Sequence, residues 1–148
     1  MAVLKKYLKK KKYIPIPLTI TATHHLEVSA SINGVSGRFI LDTGASNSCV
    51  GLDKIETFHL VSKESEVKAA GAGATNMETQ LSTKNALKIG DWKQKKLKII
   101  LFNLQHINEA LTAHEALPVD GIIGADVLQK GRAIIDYNTA TLYLKKKK

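Results

Sequence analysis

Phe39-Ile40-Leu41-Asp42-Thr43-Gly44-Ala45-Ser46 is the stretch from which the rest of this chain can be read. Three consecutive apolar residues lead into Asp-Thr-Gly, and two small residues follow. A short unbroken apolar run suits a strand buried on both faces. Gly44 lets the backbone turn sharply and come close to whatever lies opposite. The segment therefore reads as a buried strand that delivers one carboxylate to a tight loop. A carboxylate among small neighbours is expected to be poorly solvated unless another group satisfies it. That marks Asp42 as a candidate for chemistry.

Upstream, Leu26, Val28, Ala30 and Ile32 alternate with more polar residues, the pattern of a half-buried strand. Asn33-Gly34 is a strong signal for a two-residue hairpin turn, so the strand carrying Asp42 is the return arm of a hairpin. Tyr13 to Leu18 is extended, because Pro15 and Pro17 fix φ and bias the residues before them toward β. Two prolines in three residues place this segment at an edge or in a lead-in. Downstream, Cys49-Val50-Gly51-Leu52 predicts another short strand, and Asp53 to Phe58 a brief helical or turn segment. Residues from Val61 to Leu87 are mostly small and polar, centred on Gly71-Ala72-Gly73-Ala74. By themselves they read as a polar hairpin with a glycine-rich tip.

A weak repeat then appears. Ala86 to Trp92 echoes Ala30 to Gly34, a strand entering a glycine turn, and Lys98-Ile99-Ile100-Leu101-Phe102 echoes Arg38-Phe39-Ile40-Leu41. The second copy has no Asp-Thr-Gly. Leu104, Ile107, Ala110 and Leu111 have helical spacing and predict a surface helix within Leu104 to Ala116. Pro118 to Leu128 holds a second signature, Gly121-Ile122-Ile123-Gly124-Ala125-Asp126-Val127-Leu128: two β-branched residues, a glycine, then a short apolar helix. Ala133 to Leu144 closes the chain as a hairpin turning near Asn138.

FILDTGAS and GIIGADVL, in this order with the glycine-rich hairpin between them, resemble the two motifs of the retropepsin-like aspartic proteases, which carry one catalytic loop per chain. The resemblance covers residues 26 to 144. It implies an all-β, mainly antiparallel, retropepsin-like acid protease barrel with one or two short helices. The active site is then at a homodimer interface, because two-lobed relatives carry two such loops on a chain about twice as long. The resemblance makes Asp42 the catalytic residue and water, activated between the two Asp42 carboxylates, the nucleophile. The substrate is a peptide or protein, and neither metal nor cofactor is needed. Thr43 would hydrogen-bond across the two-fold axis, Gly44 would offer its N–H to the carboxylate, and Ala45 would border the substrate groove. Gly71, Ala72, Gly73 and Ala74 would tip a flap that closes over substrate. Ile122, Ile123 and Gly124 would pass beneath the catalytic loop and pack against it. Two departures stand out. Retroviral enzymes have an acidic residue two positions beyond the loop glycine and an arginine just after the second motif's glycine. Here those positions are Ser46 and Ala125, so that ion pair is missing. Retroviral dimers also interleave their termini, which here are rich in like charge; Tyr13 to Leu18 and Ala133 to Leu144 are the expected alternatives for association.

Length and composition agree with this reading. A chain of 148 residues is one domain with room for a core, and with only 5% aromatic residues that core must be aliphatic. The net charge of +9 is confined to the ends. Residues 1–12 hold six lysines and residues 145–148 hold four; the remainder has 12 basic residues against 13 acidic ones, a net of −1. The ends therefore read as solvated lysine tails flanking a neutral domain over 13–144, with at most a weak hold on RNA or anionic lipid. No nucleic-acid motif accompanies them. One cysteine, Cys49, excludes an intrachain disulfide and reads as a small buried residue. No signal peptide or membrane span is recognisable, so a cytoplasmic location is expected. His106, Glu109 and His114 share a helix but lack metal-pair spacing, and His24-His25 falls in a strand or its lead-in. Asp120 reads as a turn residue, and Asp126 as an acid at a helix N-terminus. The other functional reading is a catalytically silent binding or scaffold module on the same fold. A lysine-tailed nucleic-acid binder would leave both motifs unused.

Overall fold

The computed structural model describes residues 2–64 and 79–147. In chain order the elements are α1 (Ala2–Lys10), β1 (Tyr13–Pro17), β2 (Thr19–Ile20), β3 (Leu26–Ile32), β4 (Val35–Leu41) and β5 (Cys49–Gly51). A 3-10 turn (Leu52–Lys54) then precedes β6 (Lys63–Glu64), β7 (Gln80–Ile89) and β8 (Trp92–Phe102). The chain ends with α2 (Gln105–Ala113), β9 (Gly121–Ile123), α3 (Ala125–Lys130), β10 (Ile134–Asp136) and β11 (Thr141–Lys145). Gly71, Ala72, Gly73 and Ala74 lie outside the described residues; β6 and β7, on either side of them, pair antiparallel.

The main sheet runs β2-β3-β4-β9-β5-β8-β7-β6, and β3 also pairs with β7, so six strands close into a ring. This is the all-β barrel expected from sequence. The hairpins form where turn chemistry demands. Asn33 and Gly34 both have positive φ, at 51° and 84°, as a two-residue hairpin turn needs. The Asn33 side chain also ties distant segments together, donating to Phe58 O and Asn85 Oδ1 and accepting from the Ala86 N–H.

Two pairings are parallel, β4 with β9 and β5 with β8, while β5 and β9 run antiparallel between them. The repeat seen in sequence thus has a spatial counterpart. Each hairpin's second strand, β4 or β8, ends beside a short parallel strand, and the two short strands meet at the centre. Here the sheet is covered on both faces, which is why these strands are continuous apolar runs. Phe39, Leu41, Val50, Ile99, Leu101 and Ile123 point into the larger core. Ile40, Cys49, Ile100, Phe102 and Ile122 point the other way, under Leu104, Leu111, Ala116 and Val119. Helix α2 is the lid of this second cluster. Leu111 is its buried residue, whereas Ala110, expected on the same stripe, is exposed because it faces away from the sheet.

A separate three-stranded sheet, in the order β1-β11-β10, joins the two ends of the domain within one chain. Pro15 and Pro17 sit in β1 at its edge, where their missing N–H groups cost no central ladder bond. The N-terminal lysine segment, read as a solvated tail, is instead the helix α1. Leu4 and Leu8 are one turn apart, and Leu8 is buried against the domain while the lysines stay exposed. The C-terminal run also starts inside the fold, with Lys145 opposite Tyr13.

Strand β9 opens on Gly121, where there is no room for a side chain. A Cβ at Gly121 would lie 2.1 Å from the backbone oxygen of Cys49. The expected outcome of Gly121→Ala is therefore a loss of about 3 kcal/mol or more, because backbone rather than a flexible side chain must move. Chemical denaturation measures it; an unchanged midpoint would show that β5 and β9 can separate freely.

Candidate active site

Strand β4 ends at Leu41, and the chain turns through Asp42-Thr43-Gly44 before returning as β5. The loop is stitched to β9 and α3 by backbone bonds. The Asp42 N–H donates to Ile123 O (3.0 Å), and the Ala125 N–H donates to Ala45 O (2.7 Å). Within the loop, the Ala45 N–H donates to Asp42 O (3.2 Å). The Gly44 N–H donates to Asp42 Oδ1 (2.9 Å), so one carboxylate oxygen is held by the loop's own backbone. Gly124 makes the close approach possible, since a Cβ there would meet Ala45 O at 2.6 Å.

Beneath the loop is a second set of contacts. Ser48 is 2% exposed. Its hydroxyl donates to Asp126 Oδ1 (2.8 Å) and accepts from the Gly124 N–H (2.9 Å), while its own N–H donates to Asp126 Oδ2 (3.0 Å). Asp126 is therefore more than an acid at a helix start: it fastens α3 to the returning arm of the loop. In this chain, where Ser46 and Ala125 leave no ion pair, Ser48 and Asp126 make the tie between loop and helix. Their signal in the sequence was faint. An Asp two positions after Gly124 and a Ser six after Asp42 are ordinary residues until the fold brings them together.

Asp120 likewise does more than turn the chain. Its Oδ2 accepts the Arg38 N–H (2.9 Å), its Oδ1 lies 3.6 Å from Lys54 Nζ, and its backbone bonds to Arg38 and Gly51. It latches the entry to β9 against β4 and β5.

One expectation about Asp42 needs correction. The carboxylate was expected to be poorly solvated, yet in the single chain Asp42, Thr43 and Gly44 are all exposed, and Ala45 is half-buried. The apolar run buries the strand and then projects its last residue out of the core. Beside Thr43 is a depression of about 380 Å³ lined by Ala125, Leu128, Ala133 and Ile135, with Gln129 and Arg132 at its polar margin.

Cys49, at the start of β5, is buried in the outer cluster. Burial pushes its thiol up to about 12, with the carboxylates of Asp126 and Asp42 adding to the effect. His106, Glu109 and His114 are exposed on or just beyond α2, and His24 and His25 lie in the turn before β3. Among the described residues, no group of three or more His, Cys, Asp or Glu side chains is placed to hold a metal ion.

Two outcomes follow from this geometry. Ser48→Ala and Asp126→Ala should each destabilise the chain by about 1–3 kcal/mol, and the double variant by clearly less than their sum, because they share the same bonds. A denaturation cycle over the four proteins checks this; strict additivity would dissolve the clamp. The Cys49 thiolate is the reactive form, so a thiol held near 12 is almost wholly protonated at pH 8. Alkylation at pH 8 should be at least about a hundredfold slower in the folded protein than in denaturant, and equal rates would contradict the burial of Cys49.

The fold just described recurs in solved structures. A retropepsin-like aspartic protease from Rickettsia conorii superposes with a TM-score of 0.58 at 17% identity, over 89% of this chain and 91% of that one. The EIAV protease, in complex with the inhibitor HBY-793, gives 0.54 at 20% identity over 71% and 86%. The retroviral protease-like domain of Ddi1 from Leishmania major gives 0.52 at 19% identity over 81% and 87%. At these identities the likeness establishes the retropepsin fold. Among curated proteins none matches. The family model described as aspartyl protease matches residues 28–127, from β3 through the Asp-Thr-Gly loop and β9 to the helix that Asp126 fastens beneath it. By that match, over more than half its length, this chain belongs to the aspartyl protease family.

Proposed function

We propose that this chain is a homodimeric aspartic endopeptidase that hydrolyses peptide bonds with water activated between two Asp42 carboxylates, one from each subunit. The observation that carries the proposal is the Asp42 loop. The carboxylate is exposed at the end of a buried strand, gripped by the Gly44 N–H, on a loop braced through Gly124, Ser48 and Asp126. A catalytic carboxylate is useful only if it is held in place, and this one is braced yet open on one side.

That open side is the argument for a second copy. The chain supplies one Asp-Thr-Gly, and a two-fold axis through the loop sets the same patch against itself. Exposed Thr43 borders the apolar depression lined by Leu128, Ala133 and Ile135. Nearby, β10 is the last strand of the three-stranded sheet, with an edge that pairs with nothing among the described residues. A partner strand against that edge would join the two small sheets and cover the depression.

In such a dimer the two carboxylates are too close for both to ionise, so they share one proton and titrate as a pair. The ionised member takes a proton from the bound water as it attacks the scissile carbonyl. The protonated member donates to the developing oxyanion, and a proton then passes to the leaving nitrogen. Ala45 would border the groove, and Gly71 to Ala74 would close over the peptide as a flap. No residue of the chain forms a covalent intermediate.

Asp42→Asn should lower peptide cleavage at least about a thousandfold with the fold retained, measured by digesting a peptide library and comparing thermal melts. The rate for the unaltered protein should be bell-shaped in pH. It falls on the acid side as the pair takes up its second proton, and on the alkaline side as it loses the shared one. Thr43→Ala should loosen the dimer about tenfold, because the two-fold repeats the lost hydrogen bond; sedimentation over a dilution series reads this. A stable dimer that cleaves nothing from acid to neutral pH would favour a binding module on this fold.

A further inference from the structure

We propose that the lysine-covered face formed by α1 together with the C-terminal residues is a docking surface for anionic lipid bilayers. The two lysine runs are at opposite ends of the chain, but the β1–β11 pairing brings them together. Tyr13 lies opposite Lys145, and the Lys146 N–H donates to Lys12 O at 2.8 Å. Lys5, Lys6, Lys9, Lys10, Lys11 and Lys12 therefore share one region with Lys145, Lys146 and Lys147. Among the described residues no acidic side chain forms an ion pair with these lysines, although Asp91 adjoins Trp92, over whose ring Lys147 lies. The first acidic residue of the chain is Glu27 and the last is Asp136, and among the described residues the only ion pairs are Arg38–Glu27 and Lys54–Asp120. The folded remainder is nearly neutral, so the patch sets the direction of the molecule's field.

Charge alone would suit any polyanion; α1 narrows the choice. Its Leu4–Leu8 stripe is used by the domain, with Leu8 only 4% exposed. A second apolar pair, Val3 and Tyr7, also one turn apart, is left in solvent at 79% and 57% exposure. At helical spacing this pair flanks the face carrying Lys6 and Lys10. Exposed apolar residues bordering a lysine face are what an interfacial helix offers a bilayer: the ammonium groups meet anionic headgroups while the apolar side chains enter the acyl boundary. Lysine stems can lie along that boundary with their heads in water. Recognition of nucleic acid would draw instead on arginine forks and exposed stacking aromatics. Neither lysine run contains an arginine, and of the patch's aromatic rings only Tyr7 is exposed, a single ring rather than a stacking platform, since Tyr13 is half-buried and Trp92 beneath Lys147 is buried.

The test uses the full chain and sedimentation with vesicles of phosphatidylcholine alone, or with about one-third phosphatidylserine. Binding should be at least tenfold tighter to the anionic vesicles and should weaken about tenfold or more as salt rises from about 0.1 M to about 0.5 M. Replacing Lys5, Lys6, Lys9 and Lys10 with Gln should weaken it about a hundredfold or more, since each lysine near the surface contributes roughly fivefold. Val3→Ser with Tyr7→Ser, which leaves every charge in place, should weaken it about tenfold through lost insertion. All six positions are exposed, and a thermal melt checks that the variants remain folded. Equal binding to neutral and anionic vesicles would overturn the proposal. So would full binding by the Val3→Ser, Tyr7→Ser protein, or tighter binding to a single-stranded oligonucleotide than to the anionic vesicles under matched salt. The readout is independent of Asp42 and of peptide cleavage.

Discussion

Strand β9 is threaded between β4 and β5, and the narrowness of that passage constrains the whole domain. Gly121, which opens it, and Gly124, just past its end, are glycines because the neighbouring backbones leave no space, with Cys49 O and Ala45 O each inside contact distance of an added carbon. The two residues between them are isoleucines because they face opposite cores, Ile123 into the barrel and Ile122 toward α2. Once β9 is in place, the Asp42 N–H has its acceptor at Ile123 and the loop has a floor. A wider passage would leave the carboxylate on an unsupported turn.

From that threading comes a division of labour between the two ends of β9. At its entry, Asp120 bonds to the backbone of β4 and faces Lys54, which sets the register. At its exit, Gly124 hands the chain to α3, whose Asp126 reaches back to Ser48. Retroviral relatives are expected to brace this region with an ion pair. Here a buried hydroxyl and a carboxylate do it with three hydrogen bonds, all within one chain. The clamp leaves Thr43 and the surface around it unused, so the exposed side of the loop is available for another chain.

Charge is partitioned as sharply as packing. The barrel carries almost equal numbers of acidic and basic residues, while the ends carry lysine alone. The small sheet β1-β11-β10 is the hinge of this arrangement. Pairing of β1 with β11 gathers both lysine runs with α1, and β10 forms the sheet's other edge beside the apolar depression near Thr43. The protein thus separates a proposed catalytic and dimerising face from a proposed membrane-facing one. No helix among the described residues is long and apolar enough to cross a bilayer.

Much of this was written in local sequence. Alternation from Leu26 to Ile32, the Asn33-Gly34 turn, the unbroken runs at Phe39–Leu41 and Ile122–Ile123, and the prolines of β1 each act through their own backbone or nearest strand. They were legible without knowledge of the rest. So was the contiguous Asp42-Thr43-Gly44 motif, which makes Asp42 a candidate. What the sequence could not display was any property that depends on segments meeting. Ser48 and Asp126 are 78 positions apart, and Asp120 and Arg38 are 82 apart; each is unremarkable alone. The lysines of residues 1–12 were visible as charge, but their helix was not, because its formation depends on Leu8 finding a place against the domain. The exposure of Asp42 was also misjudged from its small neighbours. A buried strand can end at the surface, and only the barrel's closure decides on which side of that boundary its last residue falls.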